Sequence, residues 1–130
     1  MSEWKNIPKD ITPYVGFVYT ILEKDTQIGY IGIKKFWKTI KRKPLKGKKN
    51  KRHETVESDW KTYNSSSSIL QEKIKNNPDN YEKEIIRCCK SITEMKCYEA
   101  HAQLSFYVRG SWDLLYNEVV NLRVRIRKNE

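Results

Sequence analysis

The run from Tyr14 to Leu22 is apolar on both of its faces, and this constrains the fold more than any other stretch of the chain. Val15, Phe17, Tyr19 and Ile21 alternate with Gly16, Val18, Thr20 and Leu22, nearly all of them residues that favour extended structure. A strand with apolar side chains on both faces needs cover on each side. A polar turn at Lys24-Asp25-Thr26 separates it from a second β-rich run, Ile28 to Lys34. Two such runs joined by a short turn predict a hairpin.

Further elements follow from local chemistry. Residues 1–13 contain Pro8 and Pro13 and read as an irregular lead-in. Residues 41–57 contain Pro44 and Gly47 and have no clear period, which predicts a mobile loop. A short helix is expected over 58–63. Ser68-Ile69-Leu70-Gln71 matches a capping box, in which a serine and a glutamine satisfy each other's unpaired backbone donors at a helix start. That helix should reach about Asn76, before the breaker Asn77-Pro78-Asp79-Asn80. Tyr81 to Cys89 suits a third strand. Ser91-Ile92-Thr93-Glu94 is a second capping box, opening a helix to about Val108 with Met95, Ala102 and Phe106 on its apolar stripe. The tail from Leu114 to Arg127 mixes apolar residues with alternating Arg123, Arg125 and Arg127. The order is strand, strand, helix, strand, helix, an α/β (α+β) arrangement, and 130 residues fit one domain.

The charge is uneven. The net charge is +10, and eleven of the 26 Lys and Arg fall between Lys34 and Arg52 with no acid among them. Fifteen basic residues remain elsewhere against sixteen acidic ones. Such concentrated charge attracts polyanions through counterion release, nucleic acid foremost; a solubilising or nuclear-import run is the alternative. Three cysteines in no C-x-x-C arrangement point to a reducing cytoplasm and not to zinc. No apolar run is long enough to span a membrane, and the polar, acid-containing N-terminus is unlike a secretory signal.

Two features suggest chemistry. Glu99 falls within the apolar stripe of the second helix, where an unpartnered carboxylate is costly. It is either a salt-bridged rim residue or a metal ligand in a cleft. A carboxylate-held divalent metal beside a phosphate-binding surface is what hydrolysis of nucleic acid needs. Tyr19 and Tyr30 lie one on each arm of the expected hairpin, where both rings can share a face or simply pack in the core. Trp60 and Tyr63 either pack against the sheet or stack on bases. The serine run Ser65 to Ser68 reads as the start of a helix, since no histidine or acid has the spacing of a nucleophile's partner.

Phe17-Val18-Tyr19 and, eleven residues on, Tyr30-Ile31-Gly32 resemble the paired signature of the GIY-YIG nuclease family, with Phe17 in place of its first glycine. Asn64-Ser65-Ser66, Glu82 to Cys89, Glu99 and Tyr116-Asn117 follow in the family's order, so the similarity spans about residues 14–120. Phage-type members and homing-endonuclease catalytic domains are the most similar. The resemblance implies a small three-stranded antiparallel sheet flanked by helices, with a basic insertion at about 41–57. It implies metal-dependent DNA cleavage by a monomer or a homodimer on DNA. Glu99 would hold Mg²⁺ (or Mn²⁺), a tyrosine matching Tyr19 or Tyr30 would activate water, and Asn117 would belong to the active site. The family's phosphate-binding arginine matches Arg42 counted forward from Tyr30 and Arg52 counted back from Ser65; Arg52 is preferred, with His53 beside it for proton transfer. Lys34, Lys35, Lys41, Lys43, Lys46, Lys48, Lys49 and Lys51 would contact the DNA backbone. A nucleic-acid binder of this fold that has lost turnover and a basic ribonucleoprotein component are the rival readings.

Overall fold

The computed structural model describes residues 3–117; Arg123, Arg125 and Arg127 lie outside them. The expected hairpin forms from β2 (Gly16–Glu23) and β3 (Gly29–Lys35), antiparallel, with Tyr19 opposite Gly32 and Ile21 opposite Tyr30. The expected third strand, β6 (Tyr81–Cys89), pairs antiparallel with the other side of β2, with a register shift between Val18 and Tyr19. The sheet is larger than the three strands anticipated. The lead-in contributes a two-residue strand, β1 (Trp4–Lys5), parallel to β6, and the order is β1-β6-β2-β3.

The second correction concerns the basic segment. In place of a loop over 41–57, β4 (Trp37–Arg42) and β5 (Arg52–Glu57) form a separate two-stranded antiparallel ribbon. Only residues 43–51 are irregular. The strand pattern was hidden because neither ribbon face is buried, so no apolar alternation marks it.

Both expected helices form. α1 (Ser68–Asn76) starts one residue earlier than predicted: Ser67 is the cap and accepts from the Leu70 N–H, while Gln71 reaches back to the Ser65 carbonyl at 2.5 Å. α2 (Ile92–Val108) begins with the Ser91 hydroxyl accepting from the Glu94 N–H at 3.1 Å. The short helix expected over 58–63 is a 3₁₀ turn at Trp60–Thr62.

β2 is covered on both faces, as its sequence requires. One face buries Phe17, Tyr19 and Ile21 with Trp4, Phe36, Trp60, Leu70 and Ile74. The other buries Val18 with Ile31, Cys89 and Met95 beneath α2, where Ala102 and Phe106 also pack. Gly16 permits this second layer to close: a Cβ there would stand 2.8 Å from the Met95 sulfur and 2.5 Å from the Lys34 carbonyl oxygen. Among the described residues, no helix is long and apolar enough to cross a membrane.

Candidate active site

The hairpin register puts Tyr19, Tyr30, Gly32 and Lys34 on one face, because side chains two residues apart share a side. The Tyr19 and Tyr30 rings are 6.2 Å apart, and the Tyr63 ring stands edge-on to Tyr19 at 6.1 Å. Gly32 makes room for them. A Cβ there would meet the Tyr19 hydroxyl at 2.5 Å, its ring carbon Cζ at 2.7 Å and the Tyr30 ring at 3.0 Å. The glycine of the second motif is thus the floor on which both phenols rest. Gly32→Ala should lower stability by about 1–3 kcal/mol through overpacking. Tyr19→Phe removes the closest atom, so the double variant should melt above the temperature that additivity predicts. Strict additivity in calorimetry would contradict the clash.

The two phenols differ in environment. Tyr19 is 1% exposed, and burial, followed by neighbouring Tyr63 and Tyr30, raises its pKa far above that of a free phenol. Tyr30 is only half-buried, and its hydroxyl is 2.8 Å from Ser66 Oγ. Ser66 is held by an unusual backbone. The preceding Ser65 is fully buried at φ +90°, a conformation costing about 1–3 kcal/mol in a non-glycine residue. Its hydroxyl accepts from the Ser67 N–H at 3.1 Å, which stabilises the turn that presents Ser66.

Lys34 brings a cation to the Tyr63 ring of this cluster. Its ammonium is 4.2 Å from the centre of the Tyr63 ring and 2.7 Å from Asp59 Oδ1. Tyr63 is itself tethered from behind. Lys83 is 2% exposed and donates to the Tyr63 carbonyl at 2.9 Å and to Asn64 Oδ1 at 3.0 Å. Burial pushes the Lys83 amine down to about 8.

Glu99 approaches from the other face. Met95, Glu99 and Gln103 are four residues apart on α2 and so share one side of it. Met95 packs at Gly16, beside the Lys34 carbonyl, and Gln103 Nε2 donates to the Ile31 carbonyl at 3.3 Å. Glu99 therefore lies level with Gly32 and Ile33 of the edge strand. Its charge is felt by the Tyr19 phenol, and burial raises its own carboxyl above the usual range. No cluster of three or more His, Cys, Asp or Glu exists among the described residues. A lone carboxylate still fits a hard divalent ion, because magnesium keeps several waters and takes one or two carboxylates plus substrate phosphate.

The remaining sequence candidates fall elsewhere. Arg42 and Arg52 are direct cross-strand partners at the far rung of the ribbon. Arg42 pairs with Glu54 at 2.7 Å, and Arg52 Nε donates to the Lys43 carbonyl at 3.4 Å. That rung is about 17 Å along the ribbon from Trp37, at roughly 3.3 Å per residue. His53 is exposed on β5 opposite Lys41. Lys35, Lys43, Lys46, Lys48, Lys49 and Lys51 are exposed.

Asn117 acts on backbone. Its Oδ1 accepts from the Ile31 N–H at 2.9 Å, and its Nδ2 donates to the Ile31 carbonyl at 2.8 Å. The side-chain amide stands in for the next peptide of a strand alongside β3. Tyr116 secures it, donating its phenol to Glu23 at 3.0 Å and its N–H to the Gly29 carbonyl at 2.7 Å. Asn117→Asp keeps the acceptor but sets a second acceptor against the Ile31 carbonyl. A loss of about 1–3 kcal/mol is expected, read as a lower melting temperature; an unchanged melt would refute the clamp.

Sequence reasoning missed Ser66, Lys83 and the placing of Lys34 and Tyr63. Trp60 and Tyr63 did offer a signal, since their i, i+3 spacing puts two aromatics behind the hairpin. Phe17, the departure from the paired signature, is wholly buried against Trp4, Phe36 and Trp60, with the Tyr19 ring 6.0 Å away, so it forms part of the core behind Tyr19.

No curated protein and no solved structure matches the chain. A family model described as "Putative endonuclease segE, GIY-YIG domain" matches residues 2–118. That match covers nearly all of the chain, including both tyrosine motifs, Glu99 and Asn117, and the chain therefore belongs to the GIY-YIG endonuclease family, in its SegE-type branch.

Proposed function

We propose that the protein is a phage-type, metal-dependent DNA endonuclease that hydrolyses phosphodiester bonds, working as one nuclease unit in the cytoplasm, as a monomer or a homodimer on DNA. The observation that carries this reading is the packing of the Tyr19 and Tyr30 rings, 6.2 Å apart, over Gly32; the place of Glu99 between Met95 and Gln103 on α2, both of which touch the hairpin, turns its carboxylate toward the same part of β3. Tyr30 is the phenol that reaches substrate. As its phenolate, Tyr30 takes the proton of the attacking water and becomes the neutral phenol, hydrogen-bonded to Ser66 Oγ 2.8 Å away, while the P–O bond to the leaving strand breaks and the departing oxygen takes a proton from solvent. Tyr19, buried and reluctant to ionise, fixes the Tyr30 ring. Glu99 holds Mg²⁺ (or Mn²⁺), which when bound stabilises charge on the phosphoryl oxygens as a Lewis acid.

Lys34 leaves Asp59 to neutralise the scissile phosphate, the work an arginine does elsewhere in the family. Lys34→Met should then cut turnover at saturating DNA by roughly tenfold or more. Arg42→Lys and Arg52→Lys, far along the ribbon, should alter affinity and leave turnover nearly unchanged. A turnover defect confined to an arginine variant would move the role back to that arginine.

The direct test is conversion of supercoiled plasmid in Mg²⁺, with EDTA as control. Cleavage that requires the metal supports the reading. Tight DNA binding with no cleavage in any divalent metal would favour a binder of this fold that has lost turnover.

A further inference from the structure

Among the described residues, the β4–β5 ribbon has no layer on either face beyond its root. The root is anchored: Trp37 Nε1 donates to the Tyr14 carbonyl at 2.9 Å and Ser58 N–H to the Phe36 carbonyl at 2.7 Å. Past Ile40, every residue to Thr55 is exposed. A solitary two-stranded ribbon is marginal in water, so a bare one of six residues per strand is built to be covered by something. Its charge says by what. From Lys41 to Arg52 there are eight Lys or Arg and no acid. The tip is shaped to present them: Lys48 N–H bonds the Leu45 carbonyl at 2.8 Å, and Gly47 takes the φ of +85° that such a turn requires at its third position.

The ribbon's two faces are unlike. Ile40 and Val56 lie half-buried on one, together with Lys38, Arg52 and an Arg42 paired to Glu54. The other carries three rungs, Trp37 opposite Glu57 at the root, then Thr39 opposite Thr55 and Lys41 opposite His53. Lys41, His53, Asn50 and Lys51 line a concavity there that holds no acid.

We propose that this ribbon enters the major groove of B-form DNA, with Thr39, Thr55, Lys41 and His53 toward the base edges and the tip lysines on the flanking phosphates. The inference rests on the nuclease reading and deepens it by naming the form of the substrate. A major groove about 12 Å wide admits a two-stranded ribbon as it stands, whereas a minor groove about 6 Å wide must first be bent open. The deep, narrow major groove of A-form RNA excludes it. The arm thereby selects duplex DNA over duplex RNA, in addition to supplying phosphate contacts.

The test is binding in EDTA, where catalysis plays no part. Wild-type protein is titrated with a short DNA duplex, the RNA duplex of the same sequence, and the DNA duplex preloaded with methyl green, which occupies the major groove, or netropsin, which occupies the minor. A second protein has residues 43–51 replaced by Asn-Gly, which suits a two-residue hairpin turn, and its folding is checked by thermal melt. We expect RNA to bind at least tenfold more weakly than DNA and methyl green to compete while netropsin does not. The trimmed arm should lose at least tenfold in DNA affinity, with a shallower salt dependence. Equal affinity for RNA, competition by netropsin alone, or unchanged binding by a folded trimmed protein overturns the proposal. If those results come with metal-dependent plasmid cleavage by the wild type, the nuclease reading stands without the groove-entering arm; a wild type that neither binds nor cuts DNA removes both.

Discussion

Glu99→Gln should abolish DNA cleavage while leaving DNA affinity in EDTA within about twofold. The neutral amide keeps the shape of the side chain and removes the anion that a divalent ion needs. Losing several kcal/mol of transition-state stabilisation, at 1.36 kcal/mol per tenfold, predicts a fall on the order of 10³-fold or more. Affinity should survive because it comes from the lysines and arginines of the ribbon. Stability provides a second readout. Burial raises the Glu99 carboxyl in the fold, so the native state binds that proton more tightly than the unfolded chain does. The stability associated with the protonated form is present below the ordinary glutamate range and is lost as pH rises through the raised folded value. At pH 7, without metal, Glu99→Gln should therefore melt higher than wild type, and the gain should vanish near pH 4. Magnesium should raise the wild-type melting temperature and not that of the variant. Cleavage near wild-type rate by Glu99→Gln would remove the carboxylate from the mechanism.

Tyr30→Phe comes second in expected size. The ring stays against Tyr19, and the hydroxyl shared with Ser66 disappears. A lost general base costs about 10²-fold or more in turnover at saturating DNA, with little change in melting temperature. Tyr19→Phe should be impaired less, because its contribution is to hold Tyr30 in place. The ranking is informative: a larger defect in Tyr19→Phe would make the buried phenol the base, and full activity in both would show that the tyrosines only pack.

The parts of the fold legible in the sequence are those with a buried face or a capped end. β2 announced itself as a run apolar on both faces, β3 as a β-rich run after a polar turn, β6 through loose alternation, and α1 and α2 through Ser-x-x-Gln and Ser-x-x-Glu at their starts. β1 did not, because two residues carry no period. The ribbon did not, because Lys, Thr, Glu and His on both of its exposed faces mimic a loop.

The arginine question has a geometric answer. Counting forward reached Arg42 and counting back reached Arg52, and the ribbon sets these two opposite each other on one rung. Both counts led to the same rung, at the end of the ribbon away from Trp37, since distance along the chain says nothing about a hairpin that folds back on itself. Asn117 was legible as a residue of interest through its Tyr-Asn pair, but its bonds to Ile31 depend on a tail running beside β3, for which no local pattern exists.

That tail has a consequence for the behaviour of the protein in solution. β3 ends the sheet, and Leu115, Tyr116 and Asn117 close the half of its open edge that carries Tyr30 and Ile31. A chain cut before Leu115 would keep the apolar hairpin and expose a row of free N–H and C=O groups along it. Such an edge recruits strands from neighbouring molecules. Aggregation during expression would then set in with the same lesion that frees the Ile31 backbone from Asn117, and a shortened protein that yields no activity would often be one that yields no soluble material.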